Sequence, residues 1–254
     1  MNLKAGLIGI TSLTLASCEL PSNSAVGADQ QKIEKIIAEY IKTHPEVIGS
    51  ALEAKPTMIV DAIKKLGKQR EEEEKKKAEE ALVKYKKEIF QESTALFSGN
   101  ADGKKIWVEF FDYNCPHCRE MHKVFKDLIA QDKDVKVVYK PLPLFGKDSE
   151  YSARSVIAAN NQGKFAELHE AFMNYPEPLD EKKILEIAKT VGIDIAKFEK
   201  DVAEPETKEY LVKIRDLASK LDITGAPYMI YESEIIPGRV ELSDLKEAMN
   251  KKAK

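Results

Sequence analysis

The apolar run Ile106, Trp107, Val108, Phe110 and Phe111 leads almost directly into Asn114-Cys115-Pro116-His117-Cys118. Asp102-Gly103 ahead of it is a turn signal, so the run predicts a buried strand. Beyond the cysteines, Met121, Val124, Phe125, Leu128 and Ile129 recur at helical spacing. Val135, Val137, Val138 and Tyr139 then make a second strand. Strand, Cys-x-x-Cys, helix and strand are complete within about 40 residues, the setting in which that cysteine pair reads as a thioredoxin-like redox motif.

The residue types between and beside the cysteines fit that chemistry. Pro116 suits the first turn of a helix, where its missing N–H costs nothing. Cys115 then stands at the helix N-terminus, facing unpaired backbone N–H groups and the positive end of the dipole. A thiolate there is stabilised, the more so with His117 beside it, and the thiolate is the nucleophile. Cys118, one turn further on, is placed to resolve a mixed disulfide. Covalent haem attachment is excluded because Arg119 stands where that chemistry needs histidine. Cys115, Cys118 and His122 could supply three metal ligands, but a closed zinc site needs four. The reading therefore assigns no metal and no cofactor.

The motifs Glu109-Phe110-Phe111, Cys115-Pro116-His117-Cys118, Lys140-Pro141-Leu142-Pro143 and Thr224-Gly225-Ala226-Pro227 occur in that order. On them the sequence resembles the DsbA family of bacterial thiol-disulfide exchange proteins, from about Gly99 to the C-terminus. The resemblance implies an α/β thioredoxin fold over 99–254, split by a helical insertion at about 147–205. Phe165, Leu168, Phe172 and Met173 mark one inserted helix; Ile184, Leu185, Ala188 and Val191 mark the next. It also implies that Glu109 is buried under the active site and manages the Cys118 proton, with Lys140 nearby. Pro227 is implied to be cis and to face the cysteine pair, with Gly225 and Ala226 completing a substrate-binding loop. A cis proline there removes a backbone donor and bends the chain for an extended peptide to pair beside Cys115. Gly225 would give that turn its freedom. Ala226 departs from the family, whose oxidases often carry valine and whose isomerases often carry threonine before that proline.

The N-terminal third has a different character. Lys4, the apolar run from Ala5 to Leu15 and the ending Leu15-Ala16-Ser17-Cys18 predict an export signal over 1–17. That ending looks like a lipobox, which would make Cys18 a lipidated first residue and 18–28 a flexible tether. The alternative is cleavage after Ala28 and a soluble periplasmic protein. Residues 29–98 read as a helical stalk. Ile33, Ile36, Ile37, Tyr40 and Ile41 predict an amphipathic helix over 30–43, ended by His44-Pro45. Val47, Ile48, Ala51 and Leu52 give a second short face, and Ile59, Val60, Ile63 and Leu66 a third after Pro56. From Lys68 to Glu80 only charges, Gln69 and Ala78 remain, with Glu71/Lys75, Glu72/Lys76 and Glu73/Lys77 in the favourable i,i+4 order. One helix from 57 to 96 would be about 60 Å long. The apolar stripes of 30–66 lack a partner, and the economical one is the same segment of another subunit. The stalk looks like that of the oligomeric DsbA-like proteins, including ScsC-type trimers, which implies a homotrimer.

Composition narrows the classes. Forty basic and 43 acidic residues nearly cancel, which argues against a nucleic-acid partner. Three cysteines are too few for a disulfide scaffold. The reading expects a lipid-anchored periplasmic thiol-disulfide exchanger, an isomerase before a dithiol oxidase, acting on exported cysteine-containing clients. A membrane reductase would serve an isomerase, and a quinone-linked oxidase would serve an oxidase. From another class, a surface lipoprotein could grip peptides or copper through the same thiols without turnover.

Overall fold

The computed structural model describes residues 23–91 and 96–251, with side chains from residue 32 onward. The signal at 1–17 and Cys18 lie outside the described residues. Two compact units divide the chain at Arg70 and Glu71.

The first unit is helical. Helices α1 (Asn23–Thr43), α2 (Glu46–Ala54) and α3 (Thr57–Lys84) are separated at His44-Pro45 and Lys55-Pro56. Each proline disfavours helical geometry in the residue before it, and Lys55 duly sits at φ −138°, ψ 69°. Helix α1 starts inside the segment 18–28 that the sequence assigns to a flexible tether. Ile33, Ile36, Ile37, Tyr40 and Ile41 are exposed, as are Val47, Ile48, Ile59, Val60, Ile63 and Leu66. No described residue of α2 is buried.

The second unit holds a five-stranded sheet. Strands β1 (Leu96–Gly99), β2 (Lys105–Phe111), β3 (Val135–Pro141), β4 (Tyr228–Tyr231) and β5 (Glu234–Pro237) lie in the order β1-β3-β2-β4-β5. The β2–β3 pair is parallel, joined through α5 (Pro116–Gln131); the other three pairs are antiparallel. Between β3 and β4 run α6 (Lys147–Asn160), α7 (Phe165–Asn174), α8 (Glu181–Thr190), α9 (Ile195–Ala203) and α10 (Pro205–Lys220). Helix α11 (Leu242–Lys251) closes the unit. This is a DsbA-like thioredoxin fold, a mixed sheet with helices inserted before its last two strands.

Both faces of the sheet are covered, which is why β2 is apolar nearly throughout. Trp107 and Phe111 face a core built with α5, the inserted helices and α11, including Phe125, Leu128, Phe172 and Leu245. Val108 and Phe110 face a second core with Val138, Leu142, Leu211, Ile214 and Leu217. Leu82 and Ile89 complete that second core, although the sequence places them in a stalk. The expected helix over 57–96 is also interrupted: α3 stops at Lys84, Tyr85 takes φ −103°, and a short α4 (Lys86–Phe90) follows. These apolar residues are buried against the sheet face that carries Val108, Phe110 and Val138. Leu96, likewise assigned to the stalk, is buried in β1 and registers with Tyr139. At the end of β1, Gly99 takes φ +87°, and a Cβ would lie 2.4 Å from the Val135 carbonyl oxygen, so only glycine fits there.

Candidate active site

Strand β2 delivers the chain to the site, and a three-residue turn, Asp112 to Asn114, hands it to α5. Cys115 is the N-cap of α5, extended at φ −87°, ψ 117°, with Pro116 at the first helical position. Its carbonyl accepts from Cys118 N at 3.2 Å and Arg119 N at 3.3 Å. Both cysteines are free thiols; Cys115 is almost covered and Cys118 wholly so. Across from them the Ala226-Pro227 peptide is cis, immediately before β4. The Cys115 Sγ lies 3.5 Å from the Ala226 carbonyl oxygen, which it meets as donor.

The two thiols differ in acidity. Cys115 is lowered to about 6, chiefly by its hydrogen bond with the Cys118 thiol and further by the backbone N–H groups of Cys118 and His117. Burial and the Asp112 charge oppose that fall. Cys118 is pushed strongly up, first by burial, then by the same thiol–thiol bond and by the Glu109 charge. One sulfur is thus a thiolate at neutral pH while its neighbour keeps its proton.

Residues 108–250 match the family described as the DSBA-like thioredoxin domain. The chain belongs to that family. A probable disulfide bond formation protein D of Bacillus anthracis is 29% identical over 181 residues, spanning 66% of this chain and 82% of its own. A thioredoxin-like oxidoreductase from Silicibacter pomeroyi DSS-3 superimposes with a TM-score of 0.63 at 35% identity, covering 65% of this chain and 95% of that one. A linker-deleted variant of Proteus mirabilis ScsC gives 0.66 at 23% identity, covering 91% and 98%, a likeness of fold. As a DsbA-like protein the chain is a thiol-disulfide oxidoreductase.

The remaining residues of this DsbA-like site fall into place unevenly. Glu109 is fully buried on β2, between Tyr139 of β3 and Met229 of β4, and neither carboxyl oxygen has a hydrogen-bond partner. Burial first, and the charge of Cys115 second, push its carboxyl well up. Lys140 is not beside it. In the parallel register Lys140 pairs with Phe110, one residue on, so its side chain leaves the opposite face of the sheet. There its ammonium donates to the Glu88 carbonyl at 3.1 Å. His117 also departs from expectation: its imidazole is on the surface, 3.7 Å from Glu120 Oε2, and its backbone N–H is what reaches the thiol. At Gly225 φ is not positive and a Cβ would meet nothing within 4 Å, so the loop does not demand glycine there.

Several residues that frame the turn have no obvious signature in the sequence. The Asn114 side chain donates to the Leu179 carbonyl at 3.2 Å and accepts from Leu179 N at 2.7 Å. Arg119 donates to the carbonyls of Tyr113 at 3.1 Å and Tyr175 at 3.0 Å. The Tyr113 hydroxyl meets Nδ1 of buried His169 at 2.8 Å. His122, weighed as a metal ligand on spacing, has its Nε2 2.9 Å from Glu170 Oε2. Only Asp112 carried a legible hint: an aspartate two residues before an asparagine at a turn can form an Asx-turn, and its Oδ1 accepts from Asn114 N at 2.8 Å.

Proposed function

We propose that the chain is an exported protein disulfide isomerase in which Cys115 attacks and Cys118 resolves. The single observation that carries the exchange chemistry is the pair of unlike thiols beside a cis peptide. Cys115 as thiolate attacks one sulfur of a client disulfide; a mixed disulfide forms and the other client sulfur leaves as thiolate. That freed thiolate then attacks a different client disulfide, and the thiolate this expels attacks the client sulfur held by Cys115, forming the new client disulfide and releasing Cys115 as thiolate. Alternatively Cys118 attacks the mixed disulfide, leaving the Cys115–Cys118 disulfide and a reduced client. Cys118 must lose its proton for that step, and Glu109, buried in the sheet with neither oxygen hydrogen-bonded, is the group we assign to manage that proton. Pro116 starts the helix that holds Cys115, His117 contributes its N–H, and Ala226-Pro227 offers the backbone edge on which an extended client lies.

Two features support shuffling over simple oxidation. A thiol near 6 attacks efficiently at neutral pH, because nucleophilicity falls as acidity grows and the best attacker has its pKa close to ambient pH. The exposed isoleucines of α1 and the apolar residues of α2 and early α3 support self-association through residues 30–66; the homotrimer is what the stalk's resemblance to ScsC-type proteins implies. Several sites around one client raise the effective thiol concentration. We assign the protein to the periplasm, anchored by lipid on Cys18, with a membrane reductase keeping it reduced. Among the described residues no helix is long and apolar enough to cross a membrane.

The test is a paired ribonuclease assay. Reduced protein should restore activity to scrambled ribonuclease, and the chain cut back to residue 71 should lose most of that activity. A protein that oxidises reduced ribonuclease but leaves the scrambled form untouched would be a dithiol oxidase, and this reading would fail. Palmitate labelling lost in Cys18→Ala tests the anchor, which unlabelled wild type would exclude.

A further inference from the structure

Asp112 is buried to within 2% and its carboxylate is saturated. Oδ1 accepts from Asn114 N at 2.8 Å and from the Ser149 hydroxyl at 2.8 Å. Oδ2 accepts from Leu144 N at 2.6 Å and Phe145 N at 3.4 Å. The main chain of the same residue reaches both cysteines. Its carbonyl accepts from Cys115 N at 3.1 Å, and its N–H donates to Cys118 Sγ at 3.5 Å. A buried carboxylate so close to a thiolate is unfavourable on charge alone, since like charges in a poorly hydrated site repel. Its retention there needs another reason, and the bonding pattern supplies one. One side chain ties the turn that carries Cys115 to the loop after β3 and to the start of α6.

We propose that Asp112 is a positioning residue for thiol-disulfide exchange, clamping the Cys115 turn to the 143–149 segment and setting, through its charge, how readily the Cys115 thiolate forms. The inference rests on Cys115 being the attacking thiol. Asparagine cannot replace the clamp. Backbone N–H donors approach both carboxylate oxygens, from Asn114 on one side and from Leu144 and Phe145 on the other, so an amide NH₂ opposes one set in either orientation. Ser149 has a separable part: its hydroxyl bond disperses charge on Oδ1, and losing it leaves more of that charge acting on Cys115.

The two substitutions therefore move Cys115 in opposite directions, which loosened packing would not do. The test is the pH dependence of Cys115 alkylation in the full-length wild type, D112N and S149A, alongside the steady-state kinetics of disulfide exchange. D112N should titrate lower than wild type and S149A higher, each by about half a pH unit or more. D112N should also reduce kcat about tenfold with KM little changed, because the clamp orders the reacting turn rather than the client. Should D112N fail to fold, the upward shift in S149A alone carries the inference. An unshifted S149A, or both variants shifting the same way, overturns it. Wild type in which Cys115 is not the low-titrating thiol overturns the underlying assignment instead.

Discussion

Cys115 Sγ and the Ala226 carbonyl oxygen face each other across 3.5 Å, joining the start of α5 to the cis peptide before β4. A client sulfur bonded to Cys115 sits beside a backbone edge on which its own chain can pair. The contact explains how two segments 111 residues apart make one site.

Cys118→Ala removes the resolving thiol and leaves the attack intact. Mixed disulfides between Cys115 and cysteine-containing clients should accumulate and be visible on non-reducing gels. Cys115→Ser should form none. Trapping by Cys115→Ser with none by Cys118→Ala would reverse the two roles.

Glu109→Gln should stabilise the protein and slow it. The carboxyl titrates well above its ordinary value because it is buried, so the folded state is penalised as pH rises above about 4.3, where the unfolded carboxyl ionises. The amide escapes that penalty, so the variant should gain stability at pH 7, and the gain should vanish near pH 4. Chemical denaturation at the two pH values measures it. Resolution by Cys118 should slow by about tenfold or more as the carboxyl that manages its proton is lost.

Tyr113→Phe leaves a second ring nitrogen of His169 unpaired, since Nε2 already has no partner. The expected loss is about 1–3 kcal/mol by urea denaturation. His169 is held well below its ordinary value by burial first and by His122 second. The unfolded chain therefore takes a proton there below about 6.5 that the folded chain refuses, and stability should decline on acidification through that value. His169→Asn should flatten that decline.

The place where the chain is cut should matter. Removing residues up to 98 strips Leu82, Ile89 and Leu96 from the cores of the DsbA-like unit. Each buried aliphatic side chain contributes about 1.5–3 kcal/mol, and the three together rival the net stability of a domain. The 99–254 fragment should therefore be unfolded or aggregated by circular dichroism and light scattering. The 71–254 fragment should be folded and monomeric, while the chain from residue 29 should be oligomeric. A stable, folded 99–254 fragment would restore the longer stalk.

These results also show where the sequence was legible. The strand–Cys-x-x-Cys–helix–strand order was readable because apolar runs, Pro116 and the cysteine spacing all point to one local structure. Leu82, Tyr85 and Ile89 read as stalk because they continue the helical period of the charged run. What covers them is a sheet face, and periodicity reports that a residue is buried without saying against what. Lys140 misled for a related reason. Its neighbours in sequence belong to the site, but the pleat sends its side chain to the other face. The Asn114, Arg119 and His169 contacts join the turn to distant segments, and nothing local in the sequence marks them. The unequal acidity of the cysteines was expected from the helix N-terminus. Its largest cause is the thiol–thiol bond rather than the His117 side chain.

The most direct test of the central claim is the rate of Cys115 alkylation by iodoacetamide as a function of pH, in the reduced protein. The sign follows from the lowered thiol. The reaction and the extra stability of the reduced form should both be fully present at alkaline pH and fall away as pH drops through about 6. A midpoint near 6 for Cys115, with Cys118 unreactive throughout, is the predicted result. A midpoint near the ordinary thiol value of about 8.5 would contradict the account, because Cys115 would then be no better a nucleophile than any free cysteine.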